Sequence, residues 1–153
     1  MQLVHPTNQH LLEMMTWFDN QESVFLWAGP NFRFPYTLES FRHDLKLDSL
    51  TSYALVNPQG QLLAFGQYYL RIGRCHFGRL VVSPAHRGQG LIGQLLTQLE
   101  ALGKAELNTS ESSLFVLETN LSAVNAYLKY GFGATQYPDT IPIEQCLYLI
   151  KAS

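Results

Sequence analysis

Charge is what this chain has least of. Only 14% of its 153 residues are Asp, Glu, Lys or Arg, against ~25% in an ordinary soluble domain, so charged tails and solvated linkers are excluded and disorder is not expected. Cysteine is almost missing as well. Cys75 and Cys146 are the only two, too few and too far apart for a disulfide framework or a Cys-x-x-Cys metal site. Free thiols without a signal-like N-terminal stretch point to the cytoplasm. No apolar run approaches the ~20 residues that span a bilayer, so no membrane partner is expected. The net charge of −2 disfavours a nucleic-acid partner. The most informative absence is local. From Ser49 to Leu99 there is no Asp or Glu, yet Arg71, Arg74, Arg79 and Arg87 all fall there. The flanks hold all twelve acids. A cationic middle in an acidic protein suggests a localised anionic ligand.

What is present reads as one domain over residues 1–153, a length that buries an ordinary core without staples. MQLVHPT is a short strand. NQHLLEMMTWFDN is a helix with Asn8 as its cap, and ESVFLWAGPNFRFPYT is an aromatic loop broken at Gly29-Pro30 and Phe34-Pro35. LESFRHDLKL is a second helix. SYALVN, LLAFGQYYLRI and CHFGRLVVS follow as strands. Leu91, Leu95, Leu99 and Leu102 then mark one face of a helix that Gly103 can end. SSLFVLET is a strand and NLSAVNAYLKY a helix, with Gly131 placed to cap it; FGATQYP and EQCLYLIKA close the chain as strands. The expectation is seven strands and four helices, mixed α and β.

The segment SPAHRGQGLIGQLL raises a choice. Its glycines are spaced Gly-x-Gly-x-x-Gly, the dinucleotide fingerprint. In that fold the strand runs almost straight into the first glycine, and several βα units follow. Here SPAHR separates Val82 from Gly88, Pro84 ends the strand, and a single βα unit with two strands remains. Glu118 near the ribose-binding offset is the best point in the dinucleotide reading's favour.

The other choice fits more residues. LVVSPAHRGQGLIGQLL, a strand ending V-x-P followed by R-G-x-G and a helix, resembles motif A of the GNAT family of N-acetyltransferases. VLETNLSAVNAYLKYGF resembles its motif B, N-x-x-A-x-x-x-Y-x-x-x-G-F, at Asn120, Ala123, Tyr127, Gly131 and Phe132. The resemblance covers residues 62–137 and departs at Ile92, where the family usually has Gly or Ala; Gly93 comes one later. It implies an α+β fold with a mixed, mostly antiparallel central sheet flanked by helices, an acceptor-side segment over about 8–48 and an acetyl-CoA-binding core over about 62–137.

The resemblance also implies a division of labour. Acetyl-CoA, with no metal, would lie between strands RLVVS and LFVLE. Main-chain groups of Leu80 and Val82 would meet its pantetheine arm, and an N–H near Val82 the thioester oxygen. Arg87, Gly88, Gln89, Gly90, Ile92 and Gly93 would hold the pyrophosphate. The chemistry suits them, because a helix start offers unpaired N–H groups and partial positive charge, glycines let backbone approach an anion, and Arg87 adds a fixed cation. Asn120 is a coenzyme contact, a helix cap, or both. Tyr127, two turns on, would face the sulfur as the catalytic residue. A phenol near ~10 protonating a thiolate near ~8.5 works uphill by about 2 kcal/mol, so hydrogen bonding to the thiolate serves equally well.

The acceptor must be a free amine, and some base or water chain must take its proton. The peptide-acetylating branch often reads L-E-V in the strand before motif B; here it reads Leu114-Phe115-Val116. Glu118, His76 and Glu22 are candidates. Trp27, Phe32 and Tyr36, with Phe25 and Phe34, fall where the family builds its acceptor groove, and such a wall suits an apolar or aromatic small-molecule amine. Direct transfer in a ternary complex, by a monomer or homodimer, is the expectation. Its rivals are peptide or protein acetylation and an idle coenzyme-binding module.

Overall fold

A computed structural model describes residues 1–141 and 143–152. The chain begins with β1 (Gln2–Val4) and three short helices, α1 (Asn8–Met15), α2 (Gln21–Ala28) and α3 (Leu38–Leu45). Each helix starts with a capping box: Thr7 with the His10 imidazole, Asn20 with Ser23, Thr37 with Ser40. Each box satisfies two backbone donors that would otherwise be orphaned. Two expectations are corrected here. The cap of α1 is Thr7, and Asn8 is its first helical residue. The aromatic segment read as a loop contains α2. Its apolar residues run all round the helix, so no period of 3.6 is visible, yet its Asn20 cap and the Gly29 stop define it.

A meander follows: β2 (Thr51–Val56), β3 (Leu62–Arg71) and β4 (Arg74–Val82). After a single 3₁₀ turn come α4 (Leu91–Leu107), β5 (Ser112–Leu117), α5 (Leu121–Tyr130), β6 (Gly133–Thr135) and β7 (Cys146–Lys151). Among the described residues the seven strands form one sheet in the order β1-β2-β3-β4-β5-β7-β6. Every neighbouring pair is antiparallel except β4 with β5. The fold is α+β as expected, with five α-helices among the described residues rather than four.

Two cores line the two faces of the sheet. Leu91, Leu95, Leu96 and Leu99 of α4 pack with Tyr127 and Phe132 on one face; Leu11, Met14, Val24, Phe41 and Leu45 of α1–α3 pack on the other. Alternation along the strands feeds both, since Leu55 enters the first core and Ala54 the second. Leu95, Leu96 and Leu99 are fully buried, each contributing about 1.5–3 kcal/mol. They hold α4, and hence the loop at its start, against the sheet. The helix also runs past Gly103 and ends at left-handed Asn108. Gly103 is a packing residue: a Cβ there would lie 2.5 Å from Cys75 Sγ and 3.3 Å from the Tyr68 ring.

Candidate active site

The site begins where two strands part. β4 and β5 pair through three positions, Cys75–Ser112, His76–Ser113 and Phe77–Leu114. Beyond Phe77, β4 continues to Val82 and β5 to Leu117 with no further pairing between them. On its other edge β4 stays bound to β3. Phe65 pairs with Val81 and Gln67 with Gly78, so Gly66 faces both Arg79 and Leu80 across a β-bulge. Arg79 takes φ 49° there, left-handed for a non-glycine residue. A Cβ at Gly66 would sit 2.7 Å from Leu80 Cδ2 and 2.8 Å from Leu99 Cδ1, so a larger residue there would push both side chains aside. After the bulge the Ser83 N–H donates to Leu63 O across 2.8 Å. Main-chain groups alternate direction along a strand, so those of Val82 face the fork. A cleft of about 1190 Å³ opens here and takes Leu80, Val82, Leu114 and Val116 into its lining.

The loop after β4 forms one end of this cleft. Gly88 and Gly90 have φ 79° and 72°, and Gly90 caps α4 without any side-chain hydrogen bond. The first N–H groups of α4 are thereby left for a ligand. A Cβ added at either glycine would meet no heavy atom within 4 Å, so backbone conformation, not space, demands glycine. Arg87, Gly88, Gly90, Ile92 and Gly93 line the cleft, and Arg87 is exposed. Gln89 is exposed and outside the lining. Ile92 packs against the first core. His86 joins the lining with its Nδ1 buried and unpartnered among the described residues. Sequence reasoning passed over it; its place before R-G-x-G was the available signal.

α5 forms the facing wall. Asn120 is the N-cap position, but its side chain makes no capping bond, so its amide is available to the cleft it lines. Tyr127 also lines the cleft and is only 7% exposed. Burial alone pushes its phenol upward, so it stays protonated throughout the neutral range. Asp19 is the only carboxylate among the described lining residues, and Glu22 and Glu118 lie outside the lining. His76 does line it, but its Nδ1 is 2.8 Å from Ser113 Oγ, and burial followed by the Arg71 charge pulls it down to about 3. A nitrogen that weakly basic takes up little of an amine's proton at neutral pH.

The aromatic expectations divide. Trp27 lines the cleft and donates from Nε1 to the Arg79 carbonyl across 2.9 Å, tying α2 to the bulge. Phe32 is 4% exposed and belongs to the second core. Tyr36 packs against that core and donates to Met15 O across 2.6 Å. Neither lines the cleft. Their rings stack edge-on around Phe41 instead, which a linear run of aromatics does not reveal. Among the described residues no three His, Cys, Asp or Glu side chains gather as metal ligands, and no helix is long and apolar enough to cross a membrane.

Residues 13–132 match the family model for the acetyltransferase (GNAT) family. The chain belongs to this family. It is an acetyltransferase whose acyl donor is acetyl-CoA. The forked strands, the free helix start and the cationic turn fit that donor on physical grounds, because they offer unpaired main-chain groups and positive charge to a long anionic molecule. A Bacillus subtilis protein named provisionally as a ribosomal protein bS18-alanine N-acetyltransferase is 26% identical over 110 residues, covering 72% of each chain. Among solved structures, spermidine N-acetyltransferase from Vibrio cholerae with CoA and spermine superimposes with a TM-score of 0.72 at 16% identity, covering 99% of this chain and 94% of that one. AAC(6')-Ib with paromomycin and acetyl-CoA gives a TM-score of 0.75 at 20% identity, covering 98% and 92%.

Proposed function

We propose that this acetyltransferase acylates the primary amine of a small molecule by direct attack in a ternary complex. The observation that carries the reading is the continuity of the cleft. One cavity runs from the glycine turn at α4, past Val82 and Tyr127, to an aromatic region at Phe25, Trp27 and Tyr69. Donor and acceptor can therefore meet without a covalent relay. Solved neighbours of the same fold are complexes with small amines, spermine and paromomycin. Against a protein acceptor stands Phe115, which occupies the strand position where the peptide-acetylating pattern has glutamate. Its ring packs 4.8 Å from His76 and 5.2 Å from Tyr137, closing that place to a carboxylate.

In this reading Leu80, Val82, Arg87, Gly88, Gly90, Ile92, Gly93 and Asn120 hold the donor, and a main-chain N–H near Val82 polarises the thioester carbonyl. Gln89 would contribute its backbone only. The free amine adds to the carbonyl carbon and the C–S bond breaks. Tyr127, kept neutral by its burial, donates a hydrogen bond to the departing sulfur. Full proton transfer from a phenol made still less acidic costs more than the ~2 kcal/mol of an unperturbed pair, so solvent completes it. Solvent also removes the amine's proton in this reading, since Asp19 lies exposed at the rim, His76 is too weakly basic, and His86 sits on the turn at the coenzyme end.

The test is thiol release from acetyl-CoA across a panel of small amines and N-terminal peptides, repeated with Tyr127→Phe. Small amines should turn over and peptides should not. The variant should lose about 10²-fold or more in kcat with acetyl-CoA affinity nearly unchanged. Coenzyme binding without release by any acceptor would instead mark an idle module.

A further inference from the structure

Two arginines at the acceptor end lack the partners their neighbours have. Arg33 pairs with Asp44, Arg74 with Glu111, and Lys104 and Lys151 with Glu100. Arg71 and Arg79 form no ion pair among the described residues. A guanidinium carries five N–H donors. Arg79 spends one, to Gln67 Oε1 across 3.1 Å, and its Nε is buried with no partner. Arg71 spends two, to the Tyr137 and Tyr69 hydroxyls across 2.9 and 3.2 Å.

Both side chains are held in place rather than waving in solvent. Arg71 lies over the Phe115 and Tyr137 rings at 4.9 and 5.6 Å, and Arg79 over Phe32 at 5.9 Å. Gln67 is itself anchored, donating to Leu45 O and Ser52 Oγ, so its carbonyl oxygen is fixed toward Arg79. Burial works against the Arg79 charge, and the field of Asp44, a carboxylate already bound to Arg33, offsets it only in part.

Their position matters more than their number. Beside the main cleft lies a second cavity of about 740 Å³ whose charged lining is Arg71, Arg79, Arg42 and Lys46 against Asp44 and Asp48, with Asp44 already bound to Arg33. Arg79, Phe115, Ala28 and Ile143 line both spaces, so the two adjoin. Arg79 sits in the bulge of β4, three residues before Val82, a span of about 10 Å along a strand. A molecule with an anionic group at Arg79 and Arg71 can thus place an amine a few bonds away in the fork. A cationic polyamine would meet more cations than carboxylates in that lining.

We infer that the acceptor is a small amine that also carries a carboxylate, an α-amino acid or a close relative, whose carboxylate is read by Arg71 and Arg79. This rests on the small-molecule acyl-transfer reading above and names its substrate class. Planar, forked guanidinium groups suit a carboxylate, which accepts two parallel hydrogen bonds.

The experiment compares α-amino acids with their decarboxylated amines, phenylalanine with phenethylamine and tyrosine with tyramine among them, by thiol release from acetyl-CoA. In pairs that turn over, the amino acid should show at least tenfold higher kcat/KM. Arg71→Gln and Arg79→Gln should each pull that ratio toward one. Equal or faster reaction of the decarboxylated amine overturns the inference, as does a ratio that neither variant moves. Arg79 lies in the bulge, so if its variant fails to fold, Arg71→Gln alone decides. Silence from every acceptor would sink the acyl-transfer reading; calorimetric titration with N-acetylphenylalanine then decides the anion site by itself. Binding weakened by Arg71→Gln supports it, and no binding to the unaltered protein ends it.

Discussion

At the scale of single residues, His76 shows how burial dictates charge. Its ring packs within 5.2 Å of Tyr69 and 4.8 Å of Phe115, and is 2% exposed. Burial first, then the charge on Arg71, depress it to about 3. The unfolded chain binds a proton near ~6.5 and the folded protein does not until about 3. His76 therefore contributes stability fully above pH ~6.5, and that contribution is lost as pH falls toward 3. Chemical denaturation from pH 7 to 4 should show this loss, and His76→Gln, which can keep a bond to Ser113, should flatten it. A stability unaffected by pH over that range would contradict the assignment. The motif residues were legible because their chemistry is local: a glycine turn, a cation beside it, an asparagine and a tyrosine two helical turns apart. Phe32 and Tyr36 were not. Their side chains turn into the second core, and direction is decided by α2 and α3 packing on the sheet. Arg71 and Arg79 were visible in the sequence as charges without acids nearby, but only the fold shows that both line one cavity beside the cleft.

Among elements, α4 sets the position of the glycine turn, and Gly103 sets the position of α4. Alanine is favoured over glycine in a helix interior by about 1 kcal/mol. Packing reverses that preference here, because a methyl at 103 meets Cys75 Sγ at 2.5 Å and Tyr68 at 3.3 Å. Overpacking of this kind costs about 1–3 kcal/mol. Gly103→Ala should lower the melting temperature despite its better propensity; a rise would show that the sheet gives way easily. The sequence showed a glycine near where a helix could stop, and the contact that explains it lies across the core. α2 escaped detection for a related reason. It buries Val24 and half-buries aromatic neighbours against β4 and the core, so no polar face betrays its period. The strands were easier, because alternation along β2, β3 and β4 survives being buried on two sides only in part, yet turns at PQG and RIGR bound them clearly.

For the whole molecule, two cores on opposite faces of one sheet meet at the place where that sheet opens. A donor bound there, as proposed, would touch β4, β5, α4 and α5 together and so would stabilise the folded state as a unit. Acetyl-CoA at a hundred times its dissociation constant should add about 2.7 kcal/mol, a rise of about 5–10 °C in melting temperature. NAD at equal concentration should give none, and the reverse pattern would restore the dinucleotide interpretation of the glycine turn. The parting of β4 from β5 also has an evolutionary meaning. Amides and carbonyls are common to every amino acid, so mutation along those two strands scarcely alters what they present to a visitor. The chamber around Arg71, Arg79 and Trp27 is built from side chains, each free to be exchanged. Main-chain groups in one half thus survive substitution while the side chains of the other do not, and the fold itself persists at 16% identity.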